Sequence, residues 1–168
     1  MKTIKSLALI FSLISAISIS ARAQTVLTTL DGNKIDVEAQ SGKVVILAIG
    51  ASWLPLSAKQ AEYTNMLAKS YAGKDVVVYF IATDSTSAKS RNFASNDEIR
   101  KFGTTNKLTV PVLRDSDGTL TLKKFNVDQL PSFVILNKNG DSASTPFGGI
   151  DPKYDITVPI SKTVNKLL

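Results

Sequence analysis

The run Val44-Val45-Ile46-Leu47-Ala48-Ile49 constrains this chain more than any other feature. A strand points alternate side chains to opposite faces, and here neither set contains a polar residue. A strand of that pattern is buried on both faces, so layers must cover both sides of its sheet. Val76 to Ala82 repeats the pattern. Between the two lies a segment with helical spacing, Ser57 to Tyr71, marked by Ala61, Met66 with Leu67, and Tyr71. Gly73 stands just past its end as a C-cap candidate. Strand, helix and strand in that order predict an α/β domain.

The remaining segments extend this frame. Thr25 to Leu30 alternates apolar and polar, Asp31-Gly32 marks a turn, and Lys34 to Val37 alternates again, which predicts a leading hairpin. Thr83 to Asn96 is polar and reads as a surface loop or a partly helical insertion. Ser95 followed by Glu98 is a capping-box pattern for a helix to Phe102. Val110 to Leu113 predicts a short edge strand, Asp115 to Gly118 a turn, and Thr119 to Phe125 a short helix. Pro131 opens a third core strand, Ser132 to Leu136. Asn137 to Gly140 turns into a strand near Ala143 to Thr145. Pro159 suits the first turn of a last helix, with Ile160, Val164, Leu167 and Leu168 on one face. The expected architecture is a central mixed β-sheet flanked by helices, with an N-terminal β-hairpin.

Residues 1–23 read as a cleaved secretory signal: Lys2 and Lys5, an apolar stretch from Leu7 to Ile19, then Ala21-Arg22-Ala23. The expected product is one domain, residues 24–168, in a periplasmic or secreted location. Loss of Lys2, Lys5 and Arg22 lowers the net charge from +6 to +3. So small a charge argues against a nucleic-acid partner, and after cleavage nothing predicts membrane attachment. The chain has 0 Cys and 0 His. Thiol chemistry, disulfides, Cys/His metal sites and His-dependent nucleophilic catalysis are thereby excluded. No cofactor is called for.

At Gly50-Ala51-Ser52-Trp53-Leu54-Pro55-Leu56-Ser57 the chain resembles the thioredoxin-like superfamily, and within it the exported TlpA/ResA-type proteins near the AhpC/TSA redoxins. Four further segments agree in order: Thr29 to Lys34, Val110 to Gly118, Leu130-Pro131-Ser132-Phe133, and Val134 to Asp141. The resemblance implies a thioredoxin-like fold, a dithiol motif between a buried strand and a long helix, and a cis-proline at Pro131. It also implies an activity, thiol-disulfide exchange, that these residues do not support. The two motif cysteines fall at Leu54 and Ser57, the buried acid at Ala48, and the helix glutamate at Gln60.

The altered loop leaves three readings. In the first, Trp53, Leu54, Pro55 and Leu56, together with Leu130 and Pro131, form an apolar patch that holds a polypeptide or partner protein, with Leu130 offering backbone groups as in strand addition. In the second, the protein is a redoxin oxidoreductase, which the missing cysteines disfavour. In the third it is a scaffold whose Leu54 and Leu56 turn inward to fill the space of the lost thiols. Ser57 is expected to be an N-cap accepting a backbone N–H, since no His is present to make it a nucleophile. Asp115 and Asp117 read as a solvated turn rather than a calcium loop. Lys89, Arg91, Arg100, Lys101 and Lys107 read as a solvated basic face, with an acidic partner as the alternative.

Overall fold

The structure is a computed structural model describing residues 24–168; the expected signal, residues 1–23, lies outside the described residues. In chain order the strands are β1 (Val26–Thr29), β2 (Lys34–Asp36), β3 (Val44–Gly50), β4 (Val76–Ala82), β5 (Val112–Arg114), β6 (Ser132–Leu136) and β7 (Phe147–Gly148). The helices are α1 (Ser57–Ser70), α2 (Asn96–Thr105), α3 (Thr121–Lys124) and α4 (Thr157–Asn165). One mixed sheet runs β2-β1-β5-β4-β3-β6-β7.

β3 is central, and all seven of its residues are buried. Val44, Ile46 and Ala48 face one apolar cluster, and Val45, Leu47 and Ile49 face the other. β3 pairs in parallel with β4, from Val44 opposite Val76 to Gly50 opposite Ala82, and antiparallel with β6. The crossovers β3-α1-β4 and β4-α2-β5 step the same way along the sheet. Right-handed connections therefore place α1 and α2 on one face. There Tyr63, Leu67 and Ile99 meet Ile160 and Val164 of α4. The opposite face is covered by Val37, Phe125 and Val127, with Leu122 of α3 packed against them.

Several expectations need correction. The segment around Val110 to Leu113 is not an edge: β5 lies between β4 and β1, because the leading hairpin pairs antiparallel with its outer side. The strand expected near Ala143 to Thr145 shrinks to an isolated bridge between Leu136 and Ser142, and β7 forms at Phe147–Gly148. α2 continues past Phe102 to Thr105. Met66 is 40% exposed; the inward stripe of α1 is Gln60, Ala61, Tyr63, Thr64 and Leu67. Leu168 is also exposed, whereas Ile160 and Val164 are buried as predicted. The segment after β4 is not wholly a surface loop, since Thr83, Asp84, Ser85 and Ala94 are buried.

Candidate functional site

The loop from Ala51 to Leu56 joins the carboxyl end of β3 to α1. Its shape follows from short-range hydrogen bonds. Leu54 N–H donates to Ala51 C=O at 3.2 Å, Ser57 N–H to Leu54 C=O at 3.1 Å, and Gln60 N–H to Leu56 C=O at 2.9 Å. Ser57 is buried, and its hydroxyl donates to the Ala51 carbonyl. It is therefore not the expected N-cap acceptor. The cap position is Leu56, which has no side-chain oxygen to offer. A hydroxyl tied to a carbonyl inside the loop closes the turn and is turned away from solvent.

Trp53 is 53% exposed and Pro55 is also exposed, while Leu54 and Leu56 are half-buried. Leu56 packs against the core cluster beneath α1. The loop thus divides: Trp53 and Pro55 face solvent, Leu56 anchors, and Leu54 does part of each. Leu130 is half-buried against the opposite cluster. Pro131 is buried, and the Leu130–Pro131 bond is cis. No hydrogen bond joins the Leu130 N–H or C=O to another described residue.

Gln60 ties the loop to the proline segment. It is fully buried, and its side-chain amide donates to Ile49 C=O at 3.0 Å and to Ser132 C=O at 2.9 Å. One residue of α1 thereby bridges the end of β3 and the start of β6. A neutral amide suits this place, since a carboxylate would aim negative charge at two carbonyl oxygens. The other side of that amide is less well served: Gln60 Oε1 and Ser132 Oγ are buried without hydrogen-bond partners among the described residues. Gly50 backs onto Gln60 so closely that a Cβ there would collide with Oε1.

A second group of polar residues, not singled out from the sequence, holds the loop from behind. The buried Asp84 carboxylate accepts from Ser52 N–H at 3.0 and 3.1 Å and from the Ser52 hydroxyl at 2.6 Å. Arg114, at the end of β5, is 9% exposed and donates from Nη2 to the carbonyls of Asp84 and Ala94. Its Nε and Nη1 are buried without hydrogen-bond partners among the described residues. Burial pushes its guanidinium below the ordinary arginine range, and the nearby Asp84 carboxylate opposes that shift. Asp115 accepts from Leu120 N–H, Thr121 N–H and the Thr121 hydroxyl, so it caps α3. A strand-end aspartate followed by polar residues is the one sequence signal that points to Asp84. Its partner Ser52 is 32 residues away, and no local pattern links them.

The profile of the AhpC/TSA family matches residues 19–141. The chain belongs to that family. It is 33% identical over 114 residues to the thioredoxin-like protein YneN of Bacillus subtilis, covering 68% of this chain and 62% of that protein. It is 30% identical over 115 residues to the thiol-disulfide oxidoreductase ResA of Bacillus thuringiensis subsp. konkukian, covering 68% and 61%. In both cases the match spans about three-fifths of the relative's length. Among solved structures it resembles the pneumococcal exposed lipoprotein thioredoxin of Streptococcus pneumoniae. There the identity is 25% and the TM-score 0.66, over 86% of this chain and all of the other. This AhpC/TSA member is thus a TlpA/ResA-type thioredoxin-like protein in fold and sequence, with Leu54 in the loop, Ser57 at the start of α1 and no thiol in either.

Proposed function

We propose that this protein is an exported, redox-inactive thioredoxin-fold binding protein that holds a polypeptide against the Trp53–Leu56 loop and the Leu130–Pro131 loop. The observation that carries the reading is an exposed Trp53 on a loop that hydrogen bonds brace on two sides. Ser52 is held by Asp84, and Gln60 joins the ends of β3 and β6. A braced apolar loop presents side chains at little ordering cost on binding. The Leu130 backbone groups, unclaimed by other described residues, suit an extended chain.

Thiol-disulfide exchange, named for ResA, requires an attacking thiolate, and this chain has 0 Cys. Export rests on the leader-like residues 1–23 and on likeness to an exposed lipoprotein thioredoxin. The scaffold alternative is favoured by one observation, the packing of Leu56 on the core.

The sole tryptophan is Trp53, so its emission reports directly on the loop. Addition of an unfolded, carboxymethylated polypeptide without tryptophan is expected to shift that emission saturably. Leu54→Asp, checked for folding by circular dichroism, is expected to weaken the binding at least tenfold. Absence of any saturable shift in the parent would favour the scaffold alternative.

A further inference from the structure

The exposed large apolar residues include Trp53, Phe93 at 41% and Leu120 at 49%. They stand on three different loops, following β3, β4 and β5 respectively. These are the carboxyl ends of the three mutually parallel strands. Hydrogen bonds cross-link the loops into one rim. Ser52 joins Asp84. Ser85 Oγ donates to Asp117 at 3.1 Å, Thr86 N–H donates to Ser116 Oγ at 3.0 Å, and Asp117 N–H donates to Thr83 C=O at 3.1 Å. The loop after β4 is itself closed by Ser85 pairing with Phe93. Its tip, residues 86–92, carries Lys89 and Arg91 and no acid. Among the described residues neither cation has an ion-pair partner, whereas Arg100 is held by Asp31 and Asp97.

From this rim we infer a second contact arm that selects the partner's chemistry: an extended polypeptide segment with an apolar centre and acidic flanks. This rests on the polypeptide-binding reading above. Trp53 and Phe93 receive the apolar centre, and Lys89 with Arg91 receives the acids. Such complementarity acts on selectivity and on encounter rate, and salt weakens it. Single-stranded nucleic acid also fits cations beside aromatic rings. Its affinity grows with the number of phosphates neutralised, however, and the tip has two cations. Leu54 and Leu120 offer no ring face for stacking.

Three tryptophan-free peptides with one apolar core and Glu, Gln or Lys at both ends test the assignment, read by Trp53 emission at low and moderate salt. The Glu peptide is expected to bind about fivefold more tightly than the Lys peptide, with the gap closing as salt rises. In the Lys89→Ala, Arg91→Ala double variant the gap should vanish while the affinity for the Gln peptide stays unchanged. Equal binding of all three peptides, still lost with Leu54→Asp, would overturn the acidic preference and leave the loop reading standing. No binding of any peptide would overturn both. Tighter binding of an oligothymidylate than of the Glu peptide would overturn the assignment in favour of nucleic acid.

Discussion

Ser57 and Gln60 show how much depends on a single polar atom. Ser57 follows Leu54 by three residues, the spacing of the cysteine pair that the family resemblance implies. The turn that brings Ser57 N–H to Leu54 C=O at 3.1 Å already sets the two positions one turn apart. Leu54→Cys together with Ser57→Cys is therefore expected to oxidise to an intramolecular disulfide, read as loss of two titratable thiols that return with reductant. Two thiols persisting after mild oxidation would contradict the geometry. Gln60→Glu tests the amide bridge. Burial and the two facing carbonyls would push a carboxyl at this position up, so the folded chain would hold its proton more tightly than the unfolded one. The variant should then approach the parent below about pH 4. As pH rises toward the folded value it should lose stability, by on the order of 3 kcal/mol at pH 7. Urea denaturation at both pH values measures this, and an equal deficit at both would show that ionisation of the carboxyl is not what destabilises the variant.

At the scale of the element, α2 is the most legible helix because its start is encoded locally. Ser95 Oγ accepts from Glu98 N–H, and the Glu98 carboxylate accepts from Ser95 N–H at 2.7 Å. Four adjacent residues suffice to specify that start. Ser95→Ala is expected to cost about 1 kcal/mol in urea denaturation. The Ser95 hydrogen bonds hold the Glu98 carboxyl below its ordinary value of 4.5. The stability this confers is present above that value and is lost as pH falls through the lower folded one. Ser95 Oγ also donates to the Glu98 carboxylate at 2.8 Å, and Ser95→Ala removes that bond while leaving the backbone one, so its cost should shrink in acid; a pH-independent cost would argue against the hydroxyl–carboxylate bond. The start of α1 misleads for the opposite reason. Its N-terminal residue bonds backward to Ala51 across the loop, and a serine before a helix has the same sequence signature whether its oxygen accepts or donates. Likewise β5 is three residues long, too short for its own pattern to tell an interior strand from an edge.

For the whole molecule, Arg114 is the residue through which sheet and rim depend on each other. Its guanidinium donates to two carbonyls on either side of the loop after β4. Removal would leave those carbonyls short of donors in a buried place, a deficit of about 1–3 kcal/mol each. Arg114→Ala is expected to speed amide hydrogen exchange in residues 85–94 selectively, leaving protection in β3 and β4 near the parent's. Uniform loss of protection would mean that Arg114 supports the fold at large rather than this loop. Two properties are legible in the amino-acid sequence alone: the buried strands with their α/β order, and the chemical silence of the loop. Both follow from residue type, since unbroken apolar runs set burial and an absent cysteine cannot be supplied by folding. Tertiary structure alone decided that Ser52 meets Asp84, that Gln60 spans β3 and β6, that β5 is interior, and that Trp53, Phe93 and Leu120 share one rim. Each joins residues well separated along the chain, and such pairings are set by the path of the chain across the sheet, which leaves no periodic mark in the sequence.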